Sequence, residues 1–396
     1  MKRTICCSEL HPIGGEGLVL RADVLRAGEE LLPEFGGKAR TVYADPPFGT
    51  GGSFEFRRGK RRTAYTDQLS KEEYSRLIEG AARLAHGLLR EDGTFFLHID
   101  YRMSALCRGV CDSVFGEDAL TNEIVWAYKS GGRSKNAFSK KHDTILMYRK
   151  SPEAYFDLNS VGVRRGAERR NHMKRSVDET GRVFYSIKTG GREYRYYEDD
   201  LVYPSDVWDD IEHLHQRDPE RTGFLTQKPE ALLKRMILAT SEEGDLVCDL
   251  FGGSGTAAAA AAKAGRRFIS VDMGAVASAV TRRRLIERCL KMRLYESAKP
   301  LAVRVSPTLA DEESFAPDKY FDMEERGGGL MLSLKKLPLE EEPYFVSVGR
   351  VEEGCFSASD YLLRMRAGEK IGLPAGACLC LVDEELRTGY WSNEDL

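Results

Sequence analysis

No stretch of the 396 residues is long and apolar enough to cross a bilayer as a helix, so no membrane association is expected. The opening residues, MKRTICCSELHPIGGEG, carry a basic tip with no apolar run behind it, so a secretory signal is not expected either. Cysteine is sparse and odd in number, with nine positions scattered from Cys6 to Cys380. That usage argues against a disulfide framework and for reduced thiols in the cytoplasm. Cys107 and Cys111 are spaced to share a helix face, and Cys378 and Cys380 a strand face, but no His or further Cys completes a ligand spacing near either pair. No metal is therefore expected, and buried thiols are. Excess positive charge is also missing: the net charge is -3, which excludes a uniformly basic nucleic-acid binder.

The charge that is present is unevenly distributed. Residues 129–195 hold 17 Lys/Arg against 7 Asp/Glu, a local net of +10, whereas residues 301–396 hold 10 against 19, a local net of -9. One module suited to a polyanion and one facing elsewhere follow from that asymmetry, the acidic part reading as a solvated surface.

Hydrophobic periodicity places the elements. Thr41 to Ala44 reads as a buried strand stopped by Pro46-Pro47. Ser70 with Glu73 forms a capping box that opens a helix to about residue 90, with Tyr74, Leu77, Ile78, Ala81, Leu84, Ala85 and Leu88 on one face. A strand at 94–100, a helix near 103–115 and strands near 122–128 and 142–150 follow. Residues 151–221 lose clear periodicity and read as an inserted module with short strands such as 182–188. Regular alternation returns at Lys228-Pro229-Glu230, with a helix, a strand at 245–251, a glycine loop, an alanine helix, a strand at 266–272 and a helix from about 275, which together make a βαβ unit. From about 297 short strands with Gly and Pro turns suggest a separate β-rich or α+β extension.

Two segments carry chemistry. Asp249-Leu250-Phe251-Gly252-Gly253-Ser254-Gly255-Thr256 lies between a strand and a helix, where glycines let a ligand approach backbone N–H groups. Asp272 ends the next strand about 20 residues on, the place of a ribose-binding carboxylate. The loop departs from G-x-G-x-x-G and lacks a Walker lysine, which lowers dinucleotides and ATP as ligands; alone it leaves NAD, flavin and S-adenosylmethionine open. Asp45-Pro46-Pro47-Phe48 sits at the carboxyl end of a strand and offers a carboxylate, rigid carbonyl acceptors and an aromatic face. It suits a flat heterocycle bearing an amino group.

In combination and order these segments resemble the amino-methyltransferases of DNA in the permuted arrangement called the β class: Asp45–Phe48, a basic insert, Thr226-Gln227-Lys228-Pro229-Glu230, then Asp249–Thr256. LHID at 97–100, residues 130–150 and DVWDDI at 206–211 add to the likeness, which covers roughly residues 40–290. The resemblance implies a Rossmann-like α/β sheet that uses S-adenosylmethionine, with an inserted target-recognition region and a C-terminal extension. It implies a catalytic part at 1–128, recognition at 129–221, a cofactor part at 222–296 and an unassigned extension at 297–396. It also implies that Asp45 and the Pro46 carbonyl accept the target amine, with Pro47 stiffening the turn and Phe48 stacking on a flipped base. Asp249, Phe251, Gly252, Gly253, Gly255 and Thr256 would shape the cofactor pocket, Thr226 and Lys228 would lie near the methionine carboxylate, and Asp272 would bind the ribose. Phe48 stands where many members have Tyr, and Asp in first position leans toward N6 of adenine.

Double-stranded DNA is the implied partner, with a cognate restriction endonuclease and a second copy of the chain as further candidates. Its contacts are expected from Arg57, Arg58, Lys60, Arg61 and Arg62 beside the catalytic motif, and from Arg133, Lys135, Lys140, Lys141, Arg164, Arg165, Arg169 and Arg170 in the insert. N4-cytosine or RNA methylation, and a non-catalytic DNA-binding subunit of the same fold, are the competing readings.

Overall fold

A computed structural model describes residues 6–11, 17–48, 53–58, 60–66, 69–129, 134–166, 173–224, 226–292, 299–305, 317–327, 329–338, 343–352, 355–362, 367–375, 377–382 and 388–392. Seven strands make the body of the sheet: β1 (Gly17–Arg21), β2 (Ala39–Ala44), β3 (Leu89–Asp100), β4 (Leu120–Ala127), β5 (His142–Arg149), β6 (Leu246–Asp249) and β7 (Arg267–Asp272). They lie side by side in the order β4-β5-β3-β2-β6-β7-β1. All neighbours are parallel except β5, which runs antiparallel to both β3 and β4. Six helices cover the faces: α1 (Val24–Phe35), α2 (Lys71–Leu88), α3 (Ser104–Phe115), α4 (Glu230–Thr240), α5 (Thr256–Lys263) and α6 (Ala275–Met292).

Successive strand residues point to opposite faces, and here both faces are covered, so all six residues of β2 are buried. Val42 and Ala44 pack with α1, α2 and α3, whereas Tyr43 packs with α4 and α5. The capping box opens α2 as expected: Ser70 Oγ accepts the Glu73 N–H at 3.1 Å and Glu73 Oε2 accepts the Ser70 N–H at 2.8 Å, a motif that stabilises a helix by about 1 kcal/mol. Ala257 to Ala262 are all buried; methyl side chains let α5 lie close on the sheet. Cys107, Cys111, Cys248, Cys378 and Cys380 are buried free thiols, and burial pushes the Cys107 thiol up to about 12. Among the described residues no group of side chains is placed to hold a metal ion, and no helix is long and apolar enough to cross a membrane.

The strand order reverses between β2 and β6: the chain moves outward from β2 to β3 on one side and from β6 to β7 on the other. Such a switch point leaves a crevice at the carboxyl ends of the strands. The opposite end is closed by charge. Arg40, 6% exposed, meets Asp92 at 2.7 Å, Asp245 at 3.0 Å and Glu242 at 3.3 Å. Arg90 adds contacts to Asp92 at 3.0 Å and Asp245 at 3.2 Å.

Between β5 and α4 lie an antiparallel sheet of Lys174–Val177, Val183–Thr189 and Arg192–Tyr197 and a pair of Val163–Arg164 with Leu201–Val202. Val207–Trp208 then runs parallel to β4, and the Trp126 indole N–H donates to the Ile211 carbonyl at 2.7 Å. At the other margin Lys299–Val305 pairs in parallel with β1. The sheet continues through Cys6–His11, Cys355–Leu362, Phe345–Glu352, Cys378–Val382 and Thr388–Ser392, so the extension and the body share one sheet of 14 strands.

Candidate active site

β2 and β6 deliver the two motifs side by side. Asp249 is in register with Tyr43, and the Leu250 N–H donates to the Tyr43 carbonyl at 2.9 Å. Asp45 to Phe48 leave β2 as Asp249 to Thr256 leave β6, and both segments line one cavity of about 950 Å³. Asp45, Pro46, Pro47, Phe48, Thr226, Lys228, Asp249, Phe251, Gly252, Gly253, Thr256 and Asp272 all border it, whereas Gly255 lies behind the rim. Gly255 precedes α5 with φ +72°, and a Cβ there would stand 2.6 Å from Thr281 Oγ1; both the left-handed backbone and the close packing require glycine.

The acids of the cavity differ in their surroundings. Asp249 accepts the Phe251 N–H at 3.1 Å; burial, reinforced by Asp45 and Asp272, pushes its carboxyl up to about 8. Asp272 accepts N–H groups from Gly253 at 2.9 Å and Gly274 at 2.8 Å, and burial raises it while those bonds pull it back. Asp45 is gripped by Lys228, whose Nζ lies 2.7 Å from Oδ1 and 2.6 Å from Oδ2. The same ammonium stands 4.7 Å from the centre of the Phe48 ring. The Lys228 carbonyl accepts the Thr256 hydroxyl at 3.2 Å, which ties the Thr226–Glu230 segment to the start of α5.

Beneath Phe48 runs a buried polar chain. The Tyr43 hydroxyl meets His98 Nδ1 at 2.9 Å, His98 Nε2 meets Asp143 at 3.2 Å, and the Tyr128 hydroxyl donates to Asp143 at 3.2 Å. A carboxylate at Nε2 calls for a proton there, which leaves Nδ1 to accept from Tyr43. Burial, with Asp45 and Asp249 nearby, holds the Tyr43 phenol well above its ordinary range, so it keeps its proton. Burial alone would raise Asp143, but the hydrogen bond from His98, with the Lys228 charge and the Tyr128 hydrogen bond, brings it below the usual carboxylate range.

Sequence reasoning missed several cavity residues. Ala22 and Asp23 come from the turn between β1 and α1, Val24 and Leu25 from the start of α1, and Tyr43, Tyr128, Asp143 and His213 from the network and its rim. Asp23 carried a signal, since its side chain caps α1 by accepting the Leu25 N–H at 3.0 Å directly after a strand. Of the expected DNA-contacting residues, Lys135, Lys140 and Arg164 are exposed and Lys141 and Arg165 partly so, and none lines the cavity. Lys140 lies 5.2 Å from the Tyr101 ring and Arg165 5.0 Å from the Tyr196 ring. Arg57, Arg58, Lys60, Arg61 and Arg62 fall on an antiparallel strand pair whose side chains lie outside the described residues. Arg133, Arg169 and Arg170 also lie outside them.

Fold and site together define an α/β protein with a strand-end crevice suited to a nucleoside-like ligand. Residues 39–281 match the N6_N4_Mtase family, described as DNA methylase, and the chain belongs to that family. It is similar to the type II methyltransferase M.EcaI of Enterobacter cloacae, with 28% identity over 284 residues, 60% of this chain and 62% of that protein. Similarity to the DNA adenine methyltransferase YhdJ of Escherichia coli strain K12 is 28% over 234 residues, 59% of this chain and 71% of that one. Among solved structures, PvuII DNA methyltransferase (cytosine-N4-specific) overlays 71% of this chain and 95% of that chain with 17% identity and a TM-score of 0.45. The chain thus spans less than two thirds of the length of M.EcaI.

Proposed function

We propose that this protein is a cytoplasmic methyltransferase of the permuted β class that transfers a methyl group from S-adenosylmethionine to an exocyclic amine of double-stranded DNA, N6 of adenine being the target. The observation that carries the reading is the meeting of the Asp45–Phe48 and Asp249–Thr256 segments in one cavity at the switch point of the sheet. The donor set fits the cofactor. Asp272 has a carboxylate edge for ribose hydroxyls, Phe251 and the glycine turn offer an apolar and close backbone surface, and Thr226 and Lys228 suit an amino-acid carboxylate. When bound, S-adenosylmethionine supplies an electrophilic methyl group on sulfur.

The rest is done by the chain. Asp45 and the Pro46 carbonyl accept the N–H bonds of the target amine, which draws its lone pair out of conjugation and makes it nucleophilic. Phe48 holds the flipped base by stacking, against an unstacking cost of a few kcal/mol. The surplus proton on nitrogen leaves to the Asp45 carboxylate. Positioning and electrostatics suffice, with no covalent enzyme intermediate. Adenine is favoured by Asp45 in first position and by the similarity to YhdJ, whose name makes it an adenine enzyme.

Residues 129–221 are proposed as the recognition region, with Lys135, Lys140, Lys141, Arg164 and Arg165, together with the basic strands at 57–62, on the DNA side. A cognate endonuclease and a second copy of the chain are proposed as partners. The test is transfer of labelled methyl to genomic DNA, followed by modified-base sequencing of DNA from a host that expresses the protein. Methyl-N6-adenine at one motif is expected; N4-methylcytosine would reassign the base, and no labelled DNA would refute the reading. Exchange of residues 129–221 for the matching part of a relative with a different site should move the motif, and an unchanged motif in an active chimera would refute the assignment of recognition.

A further inference from the structure

Lys228 occupies, from within the protein, two of the groups that the reading above assigns to the target base: Asp45, which would accept its amine, and Phe48, which would stack on it. Its N–H groups occupy the two oxygens of Asp45, at 2.7 and 2.6 Å, and its charge stands 4.7 Å from the centre of the Phe48 ring. Its backbone belongs to the other half of the cavity, where its carbonyl accepts the Thr256 hydroxyl at the start of α5. The cavity lining is rich in carboxylates, Asp23, Asp100, Asp143, Asp249 and Asp272 among them. Among the described residues its strong cations are Lys228, which is 9% exposed, and Arg76, which is exposed on α2 beside Glu73. A ligand that brings a carboxylate into this cavity therefore meets one buried cation, and that cation is already engaged with Asp45.

We propose that Lys228 is a positioning residue shared between two anions. It holds Asp45 until the α-carboxylate of the methyl donor draws it away, and only then is Asp45 open to the target amine, so donor binding precedes entry of the base. The inference rests on the methyl-donor reading above. A flexible four-carbon stem lets a lysine ammonium move between partners without backbone change. Because the two partners compete, the hold of Asp45 lowers the apparent affinity for the carboxylate by the fraction of molecules in which Lys228 is free.

Calorimetry on the full chain tests this with S-adenosylhomocysteine, which has the α-carboxylate but no sulfonium charge to be attracted by Asp45. 5′-Methylthioadenosine, which lacks the amino-acid portion, is the control. Asp45→Asn should bind S-adenosylhomocysteine more tightly, on the order of tenfold, and Lys228→Met should bind it more weakly. In the Lys228→Met background, Asp45→Asn should change nothing, and 5′-methylthioadenosine should bind all variants alike. Equal or weaker binding by Asp45→Asn, or the same gain with Lys228 removed, would overturn the sharing while leaving the methyl-donor reading intact. Wild-type protein that binds neither ligand at millimolar concentration would instead overturn that reading. Asp45→Ser replaces Asp45→Asn should the latter fail to fold.

Discussion

The two ends of β2 and β6 treat charge in opposite ways. At the amino end, Arg40 and Arg90 share Asp92 and Asp245, with Glu242 at the edge, so each buried charge has partners of the other sign. At the carboxyl end, Asp45, Asp143, Asp249 and Asp272 line the cavity around Lys228, the one buried ammonium there among the described residues. Balanced charge closes one end; at the other, an excess of carboxylates among the described residues faces the cavity. One end ties the strands to one another and the other leaves carboxylates facing a cavity.

Breaking the cavity end should give the largest effect. On the proposed function Asp45→Ala removes the acceptor that matters most as the amine reacts, so methyl transfer should fall by about 10²–10³-fold or more, while the thermal unfolding profile stays close to wild type. Near-normal transfer would mean that another residue holds the amine. Breaking the closed end should act on stability instead. Arg40→Met strands Asp92 and Asp245 without their main partner and should cost about 3–5 kcal/mol in urea unfolding, with the transfer rate per folded molecule retained. A stable variant would show that Arg90 alone balances the cluster.

Asp249 sharpens the contrast through pH. Its folded carboxyl is raised to about 8, above an unfolded value of about 3.9. The native state therefore binds the extra proton between those values, and the contribution of Asp249 to stability is full below about pH 4 and lost as pH rises through about 8. Asp249→Asn keeps an oxygen for the Phe251 N–H and removes the titration. Its melting temperature should gain on wild type from about pH 5 to about 8 and level off above that, and a constant difference would refute the burial of the charge. The smallest effect is expected away from both ends. Arg164→Ala should leave stability and saturated turnover unchanged, weaken DNA binding less than tenfold at moderate salt, and reduce the salt slope by about 0.9 if it meets one phosphate.

Much of this was legible in the sequence because local rules and burial agree there. The capping box at Ser70 and Glu73, the buried run before Asp45 and the glycine turn at 252–255 each specify their conformation within a few residues. The register that brings Asp249 beside Tyr43 could be expected only from the motifs, since no local rule pairs strands some 200 residues apart in sequence. The grip of Lys228 on Asp45 was not legible; Lys228 was expected to face a ligand, and its competing partner is set by the fold of the Thr226–Glu230 segment. His98 and Asp143 lay inside segments read as strands and noted for likeness but given no role, because a histidine in a buried strand shows its partner only once β3 and β5 are paired. The pairing of Lys299–Val305 with β1 was equally hidden, as short strands flanked by turns do not state which sheet they join.

Trp126 gives the cavity a voice of its own. Its indole is fully buried, lies 5.7 Å from His98, and stacks on His213 at 6.1 Å with planes 11° apart. His213 and Tyr128 reach the cavity wall. Burial lowers the His213 imidazole below its usual range, so at neutral pH the ring against Trp126 carries no charge and does not quench as a cation would. A ligand that shifts this rim, or acid that protonates it, alters the emission of a tryptophan that solvent never reaches. With only three tryptophans in the chain, occupancy can be followed by light from the unmodified protein.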